Sequence, residues 1–260
     1  MTYILKYLII HKFMNFGEEF YKKIGNNKLT WLVRGILSTD DLVYGIGTDS
    51  KILSRVFELL SYPFIEEIAQ EQNYYLEISS EQTVYPDFTL YKTKKDKTKL
   101  AIDIKSTYRK KPNAKFGFTL GSYTSFLRNN TKNIMYPYDE YSEHWIIGFV
   151  YDRETESSRS TKKVNLSERN TLMPSYKNVE FVVQEKYKIA GCKPGSGNTA
   201  NIGSILGDLN DFKHGNGPFS SYGEATFRDY WANYGKNIPR PYSDLEGYFR
   251  WKKNQKNSFS

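Results

Sequence analysis

Residues 85–109 read YPDFTLYKTKKDKTKLAIDIKSTYR, and they hold the groups in this chain best suited to chemistry. Asp87 follows a proline and leads into one apolar run; Asp103 and Lys105 stand two apart in the next. In a strand, alternate side chains share a face, so Asp103 and Lys105 project together while Ile102 and Ile104 point into the core. A hairpin over the polar turn KTKKDKTK would set Asp87 beside Asp103. Two buried carboxylates in contact repel, and one keeps a proton at neutral pH unless a cation intervenes. A divalent ion resolves that conflict, and oxygen ligands with no His or Cys nearby favour magnesium over zinc. Lys105 beside such an ion suits phosphoryl chemistry, because an ammonium can position a water and stabilise charge growing on a phosphate. An Asp-x-Lys triplet by itself is also a common surface ion pair. Its place after Pro86-Asp87, with isoleucines at the alternate positions, favours the metal site.

Glu58 is a third candidate acid for the metal. It lies between Phe57 and Leu59 in a helical run, where spacing alone more often yields a solvated residue than a ligand.

These groups need elements to carry them. Apolar residues at Ile52, Leu53, Val56, Leu59 and Leu60 have helical spacing, with Asp49 or Ser50 as N-cap and Pro63 as a point where the helix bends or restarts. TLY (89–91) and LAIDI (100–104) read as the hairpin strands, and FTLGSYTSFLRNNTKN (118–133) mixes helix and loop. HWIIGFVY (144–151), NVEFVV (178–183) and YKIAG (187–191) read as strands, and EATFRDYWANYG (224–235) as a late helix stopped at Gly235. The charged stretch 152–163 is the expected flexible segment, and residues 253–260 a frayed tail. This order predicts a single α/β domain over residues 14–252, with a mixed β-sheet flanked by helices.

The chain of 260 residues is 39% hydrophobic and 25% charged, which is ordinary globular usage and excludes wholesale disorder. A net charge of +8 favours an anionic partner, nucleic acid first, although plain solubility explains charge alone as well. The lone Cys192 excludes an internal disulfide and a thiolate metal cage, and points to a reducing, cytoplasmic setting. His11, His144 and His214 lack metal-ligand spacing. The apolar N-terminal run is broken by Lys6, His11 and Lys12, and falls short of the roughly 20 residues a membrane span needs.

Several segments together carry a family likeness: GTDSKIL with FELLSYP, YPDFTLYK, AIDIKSTY, RNNTKNI, HWIIG and GSGNT with NIGSI. In order and spacing, from about Gly47 to Ile205, they resemble the EcoRV family of type II restriction endonucleases, within the PD-(D/E)xK nuclease superfamily. The resemblance implies a homodimeric, magnesium-dependent endonuclease that cleaves double-stranded DNA at GATATC to blunt ends, alongside a methyltransferase that protects host DNA. It implies Asp87 and Asp103 as metal ligands, Lys105 as the catalytic lysine and Glu58 as an additional acid. Gly195, Ser196, Gly197, Asn198 and Thr199 match the major-groove recognition loop, where Asn can bond adenine bidentately and a Thr methyl can touch thymine. Gln82 matches a minor-groove loop, and Thr107, Ser125 and Lys132 match positions that contact the DNA backbone.

The chain departs from the family pattern at Glu81, Thr83, Cys192 and Ala200, which bears on flanking preference and not on the five loop residues. Counting back from Gly47, Met14 falls where the family begins, so residues 1–13 are expected to extend beyond the fold. The competing readings are a DNA-binding protein without catalysis and a repair or junction nuclease with the same core. The first leaves the acids and Lys105 unexplained, and the second has no need of GSGNT.

Overall fold

The computed structural model describes residues 14–25, 31–81, 83–154, 162–195, 200–236 and 240–257. The expected extension at residues 1–13 and most of the charged stretch 152–163 lie outside these. The chain begins with α1 (Phe16–Gly25), β1 (Gly35–Leu37), β2 (Leu42–Gly45) and α2 (Ser50–Glu71). The strands β3 (Tyr75–Ile78), β4 (Phe88–Tyr91), β5 (Lys99–Tyr108), β6 (Thr119–Ser122), β7 (Tyr141–Arg153), β8 (Lys163–Asn165) and β9 (Tyr176–Glu185) follow. The last part holds α3 (Lys186–Ile189), β10 (Ala190–Pro194), β11 (Asn201–Ser204), α4 (Leu209–Lys213), α5 (Gly223–Asn233) and α6 (Leu245–Asn257).

The central sheet has the order β3-β4-β5-β7-β9. Its β5–β7 pair is parallel and its other pairs are antiparallel, the mixed sheet expected from the sequence. Side-chain alternation splits its residues between two cores. Leu100, Ile102 and Ile104 join Trp145, Ile147 and Phe149 against α1 and α2. Ala101, Ile146 and Val150 face the other way, towards Phe118, Phe126 and the α5 residues Tyr230 and Trp231. Phe57 of α2 stacks on Phe149 at 4.5 Å with its ring fully buried, a pairing worth about 0.5–1.5 kcal/mol beyond the area it removes from water.

Asp49 caps α2 as expected, its carboxylate accepting from Lys51 N at 2.8 Å and Ile52 N at 3.3 Å. The helix does not restart at Pro63. The carbonyl deprived of its partner there belongs to Leu59, which is 59% exposed, so water can take the missing donor's place. The stretch YKIAG differs from its expected strand: residues 186–189 form the helical turn α3, and only Ala190 onward is extended. The helix α6 continues through Asn257, into residues expected to fray. Two small sheets complete the fold, β1-β2-β8 and β10-β11-β6.

Candidate active site

The β4–β5 hairpin holds the cluster. Phe88 pairs with Ile102, which places Asp87 at the strand entry beside Asp103 and Ile104. There the Ile104 N–H donates to Asp87 Oδ2 at 2.6 Å, and the Ser79 N–H donates to the Asp87 carbonyl at 3.1 Å. Asp103 is 4% exposed, and its Oδ2 receives no directed hydrogen bond. The Lys105 ammonium lies 2.5 Å from that oxygen as an ion contact. Gly148 pairs with Lys105 on β7, and its bare backbone admits the Phe118 ring, which a Cβ would meet at 2.7 Å.

Charge in the cluster is out of balance. Burial, then the Asp103 charge, push the Asp87 carboxyl up to about 8, with Glu58 adding and Lys105 and the Ile104 N–H opposing. Burial pulls the Lys105 ammonium down, but Asp103, Asp87 and Glu58 outweigh it and leave its pKa above normal. Without a metal ion, its acidic neighbours thus favour the charged form of Lys105. Only if both carboxyls ionise does its single charge fall short, and a divalent cation would supply the difference. Asp87 and Asp103 offer only hard oxygen ligands. The histidine on the same sheet face, His144, is engaged through Nδ1 with the Tyr85 hydroxyl at 2.8 Å. Among the described residues no three His, Cys, Asp or Glu side chains gather closely enough to hold an ion. Two carboxylates would leave the other positions around an ion to water and phosphate oxygens.

An open cleft of about 800 Å³ lies over the cluster, lined mostly by polar groups that include Glu58, Asp87, Lys105, Thr107 and Thr119. Glu58 faces this cleft from α2, but its Oε2 is 2.5 Å from Arg55 Nη1 and it is not gathered with the two aspartates into a ligand set. Sequence reading passed over Arg55, although its i,i+3 spacing to Glu58 signals the pair. Ser125 is buried, and its hydroxyl donates to the Lys132 carbonyl at 2.7 Å, bracing the turn on which Lys132 stands exposed. Gly195 closes β10, its N–H donating to the Asn201 carbonyl at 2.9 Å. The other candidate DNA contacts, Gln82, Ser196, Gly197, Asn198 and Thr199, lie outside the described residues.

Comparison with known proteins shows the family of the chain. A family model described as restriction endonuclease EcoRV matches residues 27–253. The type II restriction enzyme EcoRV of Escherichia coli is 48% identical over 222 residues, covering 84% of this chain and 90% of its own length. The solved structure of the NlaIV restriction endonuclease aligns over 91% of this chain and 88% of that one, with a TM-score of 0.39 and 11% identity. The family model and the 48% identical relative define a site-specific nuclease that cleaves DNA, and the chain carries Pro-Asp at the entry to β4 and Asp-x-Lys on the adjacent β5. The family match covers β4, β5 and the β10–β11 ribbon. The chain belongs to the EcoRV family of type II restriction endonucleases.

Proposed function

We propose that this enzyme is a homodimer that hydrolyses both strands of DNA at GATATC, with magnesium, to leave blunt ends. The observation that carries the reading is the Asp87–Asp103 pair, two apposed carboxyls whose joint ionisation is resisted, with Asp87 and Lys105 lining an open cleft of about 800 Å³. The 48% identity to a type II enzyme named EcoRV supports the particular target. Asp87 and Asp103 would hold the ion, which when bound supplies Lewis-acid polarisation of a phosphoryl oxygen and a more acidic water. Lys105, kept charged by its acidic neighbours, orients the attacking water and offsets charge gathering on the phosphate. Glu58, held by Arg55, adds negative potential to the same cleft. Thr107 and Lys132 fix the register of the backbone, and the loop 195–199 reads the bases.

A palindromic target calls for a two-fold dimer, one cluster for each strand. Ile36 and Tyr44 are cross-strand partners on the small sheet β1-β2-β8, 59% and 40% exposed, and would offer apolar area to a second copy. The flexible central TA step of the target is cheap to kink, which would carry the scissile phosphates towards the aspartates. No described helix is long and apolar enough to cross a membrane. Activity in the cytoplasm, with a partner methyltransferase protecting host DNA, completes the reading.

The test is digestion of a plasmid holding one GATATC site, with and without magnesium, and sequencing of the ends. Linear product with blunt ends at the central TA step, only with magnesium, is expected. A plasmid shifted on a gel yet intact would leave a binding protein, and scattered cutting would refute the assigned target.

A further inference from the structure

Behind the catalytic strands lies a lysine that the chemistry above does not use. Lys186 opens α3 and is fully buried, and its Nζ has no hydrogen-bond partner. An ammonium in that position carries a heavy desolvation cost and survives only with compensation. The compensation here is aromatic. Nζ lies 4.3 Å from the ring centre of Tyr85 and 4.8 Å from that of Phe126, which stack on each other at 4.4 Å. Gly121, with φ of +90°, lies over the cage, close enough that a Cβ there would be 3.8 Å from Nζ.

Three elements meet at this cage. Tyr85 directly precedes Pro86 and Asp87, and its hydroxyl is tied to His144. Phe126 belongs to the single π-helical turn 123–127, which also carries Ser125. Lys186 stands at the root of the ribbon β10–β11, which leads out to Gly195 and pairs with β6 next to that turn. Burial, then the neighbouring Lys105 charge, lower the Lys186 ammonium to about 8, while Asp103 and Glu224 act against the fall, so both catalytic charges reach it. A Leu or Met would fill the same space without the desolvation cost, so the charge marks a functional demand on the site and not a packing one.

We propose that Lys186 is a positioning residue for DNA hydrolysis: its caged ammonium holds the root of the β10–β11 ribbon against Tyr85, so that seating of the ribbon on DNA is transmitted through the Tyr85–Asp87 turn to the catalytic carboxylates. This rests on the reading of Asp87 as a metal ligand. Lys186 touches neither substrate nor ion and acts through Tyr85.

The experiment uses full-length enzyme and the variants Lys186→Met and Lys186→Arg, after wild type has been shown to cut a GATATC duplex with magnesium. Failure of wild type to cut would overturn the functional reading itself, before any variant is compared. Three quantities are read: the thermal midpoint, the single-turnover rate at saturating duplex, and the duplex concentration giving half that rate. Lys186→Met is expected to melt at or above the wild-type temperature, because an unpaired buried charge has gone. Its saturated rate should fall at least about tenfold, the size of a lost 1.4 kcal/mol of transition-state positioning, while half-saturation stays within about twofold. Lys186→Arg, which keeps the charge over the rings, should recover part of the rate. A Lys186→Met enzyme that cuts at the wild-type rate overturns the proposal. So does one that fails to fold or melts lower in step with its loss of rate, since that is a structural role.

Discussion

Replacing Asp87 by Asn gives the sharpest physical test of the carboxylate pair. In the metal-free enzyme, burial and the Asp103 charge hold the Asp87 carboxyl up to about 8. The unfolded chain releases the same proton near the ordinary aspartate value of about 4. Between those limits the native state binds one proton more than the unfolded state, so stability falls as pH rises, by at most about 1.4 kcal/mol per unit. The contribution is fully present below about pH 4 and lost above about pH 8. From about pH 5 to about pH 8 it amounts to no more than about 4 kcal/mol, a large share of the roughly 5–15 kcal/mol that holds a domain together. The Asp87→Asn variant has no proton to lose at this position, and its side-chain oxygen could still accept from the Ile104 N–H. Urea unfolding of both proteins across that pH range, in chelator, measures the difference. The variant's curve should be the flatter, by up to the figure above. Glu224, which burial raises to about 7, slopes the same way but is present in both proteins and cancels in the difference. Adding magnesium to the wild type should remove most of its excess slope, because the ion stabilises the ionised pair. Parallel curves would mean that the two aspartates do not oppose each other, and the argument for a cation between them would fail.

Other outcomes follow from the same structure. Asp103→Ala should abolish magnesium-dependent cleavage in a plasmid assay while gel-shift binding of the GATATC duplex without metal survives; cutting at the wild-type rate would refute its role as ligand. Asn198→Ala should lose about 1–3 kcal/mol of discrimination against a changed adenine, measured as a ratio of cleavage rates, and equal losses on all sequences would make it a backbone contact. Ile36→Asp puts a charge on the exposed face of β1 and should shift sedimentation from dimer to monomer with loss of double-strand cutting.

The arrangement of Asp87, Asp103 and Lys105 was legible in the chain because it is local. Asp103 and Lys105 share a face through the two-residue strand period, and the hairpin β4–β5 brings Asp87 to them across a turn, residues 92–98, that its charges mark plainly. The N-cap of α2 was legible for the same reason, since an aspartate and the amides two and three residues on suffice to make it. Where sequence reading and structure part, a distant contact decided. The apolar run of YKIAG suits a strand, yet its first residues lie in a helical turn that begins at Lys186, whose ammonium packs on Tyr85 and Phe126, residues 101 and 60 positions away. Ile52 and Leu59 fit the helical period but stand exposed, while Phe57 is buried because Phe149 of β7 lies over it.

By itself, then, the sequence determined the pairing of acids and lysine, the mixed α/β class and the family, each written in neighbouring residues or in motif order. Only the tertiary structure decided the state of charge. Whether Asp87 holds a proton, whether Lys105 stays positive and whether Lys186 is buried without a partner depend on how much water the folded chain excludes and which charges it encloses. Those are properties of long-range packing, and no local pattern of residue types encodes them.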